Sequence, residues 1–460
     1  MKSIAAIAHK TLLKAMHDKF FIGVILFFLV VLPSLPVVLY GDGTTEGHLK
    51  LYISYSMHFV IFFLSLLTIF MGCASINEEL EKKQMFTVIT KPVHRWQVVC
   101  GHWLGVTLIS GLLLIAAGSI NYAGVLYILS QHKDTITEEE KTVIEENLLT
   151  ARAVVTPEQP DTRELIEKEL KNYRKEHPDE DIDYDKVVKQ IKQNLFYSMY
   201  CVPQRHEKLF KFTGLNKVTA DTLNIRFKYY SSSKPGDATI TARWIFGDPE
   251  KVYPVRLLSE KTPEVYHTIK IPASVIDTEG NLSIKFINYD EEYLTVIFPE
   301  QNGIEVMYRT HTFTINFLKG YLLIFFQLIV LSALGVMFSS FLSFPVAVIM
   351  TLFVYAIGSQ AVSVLQILGS VSDSSFTLIE LRKEEPLTFF TVAQKILGAF
   401  IRLFPQFDKI NPVSYLTDGR AIDSKLIAWG LGVLVLLQGA CILALGSIIF
   451  RKKEIAKVII

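Results

Sequence analysis

Ile76-Asn-Glu-Glu-Leu-Glu-Lys-Lys-Gln-Met-Phe-Thr-Val-Ile-Thr-Lys-Pro-Val-His-Arg-Trp96 lies between two long apolar runs, residues 51–74 and 98–129. A stretch this charged is stable only in water, so its flanks read as membrane crossings and the stretch itself as a loop at a membrane face. Leu80, Met85, Val88 and Ile89 recur at near-helical spacing, while Glu78, Glu79, Glu81, Lys82 and Lys83 keep the other side solvated. The pattern predicts a short helix over residues 77–89 lying along the membrane surface, a handle for a partner.

Outward from this loop, six stretches carry the roughly 20 apolar residues that cross about 30 Å of hydrocarbon. They are residues 20–40, 51–74, 98–129, 317–338, 344–368 and 426–450. Composition agrees with a polytopic membrane protein: half of the 460 residues are hydrophobic and the mean hydropathy is +0.33. Lys+Arg 46 against Asp+Glu 45 leaves a net charge of +1, which gives no global field for nucleic acid. Pro33 and Pro36 are expected to kink the outer end of the first run, which is too long for a signal peptide and lacks a small-residue cleavage pattern.

Basic residues set the expected orientation. Lys2, Lys10, Lys14 and Lys19 precede the first span, Lys82, Lys83, Lys91 and Arg95 separate the second and third, and Arg451, Lys452, Lys453 and Lys457 follow the last. With six spans these segments share one side, the cytoplasm, and both termini lie there. The loop with Arg382, Lys383, Lys395, Arg402, Lys409, Arg420 and Lys425 argues the other way, but it is long and also holds Glu380, Glu384 and Glu385.

The interval between the third and fourth spans is long enough for a domain with its own core, which topology puts outside. Residues 131–205 read helical, with Thr137 before Glu140 and Asp161 before Glu164 as cap patterns. Residues 206–312 change to period two and are broken by Pro235-Gly236, Gly247-Asp-Pro249 and Glu279-Gly-Asn281, the pattern of an antiparallel β-sandwich. The expected fold is thus a membrane α-helical bundle of six transmembrane helices plus an extracytoplasmic α+β domain, charged helices followed by the sandwich. The boundaries are residues 1–19 for an amphipathic N-terminal helix, 20–130 for the first membrane half and 313–460 for the second.

Candidate chemistry is sparse. Cys201 is alone in the outer domain, and Cys73, Cys100 and Cys441 lie in or beside spans, so neither a disulfide within that domain nor a zinc spacing is available. His206-Glu207 lacks the second histidine of a zinc-protease helix, since position 210 is Phe210. Asp181, Asp183 and Asp185 lack the glycine and glutamate of a calcium loop, having Lys186 and Lys192 instead. There is no phosphate-cradling Gly-Lys-Ser/Thr loop, no nucleophile elbow and no His-Glu-x-x-His, and no enzyme activity is expected. The spans hold His58, Asn121, Gln327, Gln360, Gln366 and Gln438, polar groups expected to join neighbouring helices rather than bind substrate. In the sandwich, Tyr229, Tyr230, Trp244, Tyr289 and Tyr293 are candidates to stack on a glycan, against the plainer reading of core packing. Residues 387–404 suit a re-entrant or interfacial segment, as an exit gate or as an anchor in the lipid bilayer.

Several of these features together resemble a family. The amphipathic N-terminal helix, Glu79-Leu-Glu81 with Lys82-Lys83, Lys91-Pro-Val-His-Arg95-Trp96 and Gly101 are similar to type 2 ABC-transporter permeases. The branch most resembled serves multicopper-enzyme maturation, copper-site assembly and gliding motility. Phe341-Leu-Ser-Phe-Pro-Val-Ala347 and Asn411-Pro-Val-Ser-Tyr-Leu416 fit the same branch. His102 stands where a lysine commonly follows the glycine, and Gln84-Met85-Phe86 where Gly-Thr is frequent. The resemblance covers both membrane halves and leaves the outer domain unexplained.

It implies a bacterial cytoplasmic (inner) membrane protein that binds no cofactor itself and works with an ABC ATPase subunit dimer holding ATP and magnesium. A second permease copy or paralogue would complete the pathway. Residues 77–89 would be the coupling helix, with Glu78, Glu79, Leu80, Glu81, Lys82, Met85, Val88, Ile89, Pro92 and Arg95 as the ATPase-coupling residues. The outer domain would meet an extracytoplasmic protein or glycan. A rival reading of another class is a membrane-anchored extracytoplasmic binding or sensor protein, whose spans only hold and dimerise the outer domain.

Overall fold

A computed structural model describes residues 2–452 apart from 42, 82–93, 133–136, 138–140, 142–143, 147, 159–161, 178–183, 216–217, 219–220, 233–238, 249–251, 253, 291–293, 300–302, 366 and 368–388. The chain opens with α1 (Lys2–His17), α2 (Lys19–Val38), α3 (Thr45–Glu81) and α4 (Arg95–Gln131). Next come β1 (Thr150–Val155), α5 (Thr162–Glu176), α6 (Tyr184–Tyr200), β2 (Cys201–Val202), β3 (Glu207–Phe212), β4 (Thr222–Phe227) and β5 (Tyr230–Ser231). β6 (Ile240–Phe246), β7 (Val255–Lys261), β8 (His267–Pro272), β9 (Leu282–Asn288), β10 (Val296–Ile297) and β11 (Ile304–Thr312) follow. The chain closes with α7 (Phe313–Ser339), α8 (Phe344–Gly358), α9 (Phe389–Leu403), α10 (Val413–Thr417), α11 (Ser424–Trp429), a π-helix (Gly430–Gly439) and α12 (Ala440–Lys452). These elements form two compact units, one of residues 1–151, 311–370 and 392–460, the other of residues 152–310 and 371–391.

The first unit is a helical bundle. Among the described residues five helices have the length and apolarity of a crossing: Phe21–Val38, Thr45–Leu80, Arg95–Gln131, Phe313–Ser339 and Ser424–Lys452. Within the expected fifth span the described residues form the shorter apolar helix Phe344–Gly358, so a sixth helix of spanning length is not among the described residues. α3 and α7 are the most enclosed. Their backbones meet at two glycines: a Cβ on Gly72 would stand 3.2 Å from the Gly335 Cα, so neither position has room for a side chain without a shift.

Hydrogen bonds link α3, α4 and α7 across the apolar core. Gln327 Nε2 donates to Ser65 Oγ at 2.8 Å and Asn121 Nδ2 to Tyr321 Oη at 2.7 Å. The hydroxyls of Thr68 and Ser110 are 2.7 Å apart, and those of Thr107 and Ser332 2.8 Å. Asn121 and Gln327 thus join helices, as their place in apolar runs suggests. Pro33 and Pro36 both lie inside α2, which continues to Val38.

The second unit is built mainly from antiparallel strands. One four-stranded sheet has the order β1-β11-β4-β8, another β3-β9-β6-β7, and a three-stranded sheet β2-β10-β5. Alternation decides the packing: Ile240, Ala242, Trp244 and Phe246 of β6 face one core with Leu223, Ile225 and Phe227 of β4. Trp244 sits between the two larger sheets, its ring centroid 4.6 Å from that of Phe227 and 4.7 Å from that of Phe286. Two strands fall where the sequence reads helical. β1 joins β11 at a sheet edge, and β2 pairs with β10, register Ile297 against Cys201. β2 is too short for a period to stand out, and both segments are made strands by partners distant in sequence. α5 and α6 pair through Ile166, Leu170, Val187, Val188 and Ile191. The cap patterns at Thr137–Glu140 and Asp161 involve residues outside those described, as do Asp181 and Asp183.

Candidate coupling site at one end of the bundle

The end of α3 is where the charged loop begins, and there the structure departs from the sequence reading. α3 runs unbroken through Glu81, so residues 77–81 extend the second span instead of opening a separate surface helix. Glu79, expected on a solvated face, is only 2% exposed. A carboxylate so placed needs counter-charge. Lys10 Nζ of α1 supplies it at 2.8 Å from Oε1, and His102 Nε2 of α4 stands 3.4 Å from Oε2. Beside it, Lys14 Nζ is 2.9 Å from Glu78 Oε2. The acidic residues nearest the membrane thus face an N-terminal helix some seventy positions back in the chain, a partner that periodicity within the loop cannot reveal.

α1 reaches Glu79 because α4 gives it a smooth track. A Cβ on Gly101 would lie 2.7 Å from the Ile7 side chain, and one on Gly105 2.9 Å from the Ala8 carbonyl. Gly101-x-x-x-Gly105 therefore serves as a small-residue groove. Thr11 Oγ1 donates to the Ile7 carbonyl at 3.0 Å and lies 3.0 Å from His102 Nδ1, so the imidazole bridges α1 and α3. Lys10, Thr11, His102 and Gly105 were not among the sequence candidates. The Gly-x-x-x-Gly spacing and the basic face of α1 were the signals that could have found them.

The remaining candidates divide by position. Arg95 Nη1 donates to the carbonyls of Phe450 at 2.9 Å and Arg451 at 3.1 Å, satisfying the last turn of α12 where a cation also meets the helix dipole. Leu80 packs on a buried cluster of Ile76, Val98, Val99, Val336 and Phe450. The Asn77 backbone N–H donates to Ser339 Oγ of α7 at 3.1 Å. Thus segments bearing the three basic runs, around Lys10 and Lys14, Arg95, and Arg451, converge on one end of the bundle. Lys82, Met85, Val88, Ile89 and Pro92 lie outside the described residues, as does the side chain of Glu81.

The sandwich aromatics do not form one platform. Trp244 and Tyr229 are core residues, 0% and 1% exposed, so for these two the core-packing reading holds and the glycan-stacking one does not. Trp244 Nε1 donates to Ser259 Oγ and the Tyr229 hydroxyl to the Lys261 carbonyl, each at 2.9 Å. Burial pushes the Tyr229 hydroxyl well above the usual phenol range. Alternation placed these rings inward, and their polar atoms found buried partners. Tyr230 and Tyr289 are exposed, each with its own cation: Lys228 Nζ is 5.2 Å from the first ring centroid and the Arg243 guanidinium 4.5 Å from the second. Tyr293 lies outside the described residues. Of the segment 387–404, α9 covers Phe389–Leu403 and exposes Ile396, Leu397, Phe400 and Leu403.

Residues 5–140 match a family described as ABC-2 family transporter protein. The matched region starts in α1 and ends beyond α4, and so contains Lys10, Lys14, Glu78, Glu79, Arg95 and His102. No curated protein and no solved structure matches the chain. The match supports a type 2 ABC permease, and with the apolar helices it indicates a multi-pass membrane protein. It is to the broad family and singles out no branch. ABC-2 permeases are the membrane component of transporters whose ATPase is a separate partner.

Proposed function

We propose that the chain is the membrane-spanning subunit of an ABC transporter, coupled to its ATPase at the Glu79 end of the bundle. The observation that carries this reading is the coincidence of the family match with the ion-paired helices α1, α3 and α4. α3 ends and α4 begins at that end, so closure of the ATPase subunits on ATP and magnesium would push directly on both helices. A 37-residue helix such as α3 transmits the push along its axis. The Lys10–Glu79 and Lys14–Glu78 pairs carry it to α1, and Arg95 carries it to α12. The Glu79 end faces the cytoplasm and the strand-rich unit faces outside, where it meets cargo or an extracytoplasmic partner; a second permease copy or paralogue completes the pathway.

Two kinds of variant separate docking from transmission. Purified in mild detergent from its native membrane, the wild-type chain brings down a stoichiometric ATPase subunit. The Lys82→Glu, Lys83→Glu double variant releases it, because those charges fix register on the partner. Glu79→Gln keeps the ATPase bound but unlinks ATP hydrolysis from substrate movement. An ATPase retained by the double variant, or never present, would contradict the proposal.

A further inference from the structure

The strand-rich unit contains a cavity of about 870 Å³ that the permease reading does not use. Its floor is the outer face of the sheet β2-β10-β5. Register fixes which residues form it: Val202 and Val296 are paired and point into the sandwich core, so their neighbours Cys201 and Ile297 turn to the opposite face. Thr295 and Ser232 continue that face, held by backbone hydrogen bonds including Ser232 N–H to the Thr295 carbonyl at 3.0 Å.

The wall is α6. Val187, Val188 and Ile191 bind this helix to α5, and the adjoining flank, Lys189, Lys192, Phe196 and Tyr197, borders the cavity. Phe196 and Tyr197 are each about half exposed, large rings left open at the mouth. The wall is fixed at its C-terminal end: the Lys208 ammonium donates to the Met199 carbonyl and lies 3.5 Å from that of Ser198, capping the last turn. The cavity therefore has a rigid floor and an anchored wall.

Its volume falls within the range of small-molecule sites, and its lining combines apolar and aromatic surface with two lysines one helical turn apart. We propose that this cavity binds a single-chain amphiphile with an anionic head, the chain lying along Ile297, Phe196 and Tyr197 and the head meeting Lys189 and Lys192. Charge selects the head: among the described lining residues the charged side chains are Lys189 and Lys192, which favour an anionic head over a cationic one. A peptide adding to the sheet fits less well, because the edge strand β5 spans only two residues and offers few backbone hydrogen bonds.

The test uses the full chain in phosphatidylcholine nanodiscs with a dodecyl phosphate carrying a photoreactive group at its tail. Crosslinks are expected in peptides containing Phe196 to Cys201 or Thr295 to Ile297, competed by plain dodecyl phosphate but not by dodecyltrimethylammonium or inorganic phosphate. Lys189→Gln with Lys192→Gln, changes on the solvent side of α6 that leave its buried face intact, should weaken competition by about tenfold, the loss of roughly one charged contact. Ser232→Trp fills the floor and should abolish the crosslink while both lysines remain. Labelling confined to the spans, equal competition by the cationic amphiphile, or stronger competition by an acidic peptide would each overturn the proposal.

Discussion

At the residue scale the decisive feature is the burial of Glu79. The sequence shows three glutamates and two lysines within the six positions 78–83, and nothing local marks one of them as enclosed. Its partners lie in helices beginning at Lys2 and Arg95, so only the packed structure reveals that the charge is internal. Removing it leaves Lys10 and His102 facing a void. Lys10 is about half exposed, which softens the loss, so Glu79→Ala should cost about 2–3 kcal/mol, below the full value for a wholly buried pair. Thermal unfolding in detergent checks this, and Lys10→Met combined with Glu79→Met should restore most of the stability. At Cys201, burial raises the thiol pKa, so at any pH below that value less thiolate is present than in an exposed cysteine. Maleimide should therefore label Cys201 slowly in the native chain and rapidly once denaturant opens the sandwich, as mass spectrometry of its peptide would report.

At the element scale, what was legible was whatever repeats within its own segment. The strands over β4, β6, β8 and β9 announce themselves through strict alternation, and the apolar runs at α3, α4 and α7 through length. The end of α3 was not legible, because a helix gaining counter-charge from another helix has no reason to stop where the hydrophobic run does. β1 was missed for a related reason: its strand character comes from β11, far along the chain. The glycine track on α4 was readable as Gly-x-x-x-Gly, but the sequence does not say which helix would occupy it. Gly105→Leu should lift α1 off α4, since even a Cβ there would stand 2.7 Å from the Thr11 side chain. The expected cost is about 1–3 kcal/mol. Hydrogen exchange across residues 2–17 should accelerate while α3 and α7 stay protected.

At the scale of the whole molecule, the two units have separate cores, one centred on α3 and α7, the other on Trp244. The division between membrane and strand-rich parts was readable from the change of period, whereas the aromatic positions were only half resolved, since period two says which residues share a face but not which face is inward. Separate cores predict separate melting. Trp244→Ala should destabilise the strand-rich unit by about 3–5 kcal/mol and shift only its transition, leaving that of the bundle in place. Calorimetry of the full chain distinguishes this from a single coupled transition.

The coupling mechanism requires the Glu79 end of the bundle to face the compartment that holds the ATPase. The most direct test is a single cysteine, Gln84→Cys in a chain whose native cysteines are replaced by serine or alanine, exposed in intact cells to a maleimide that cannot cross the bilayer. Protection in intact cells, followed by labelling once the membrane is permeabilised, is the predicted result. Labelling in intact cells would put the charged loop outside and contradict the coupling mechanism.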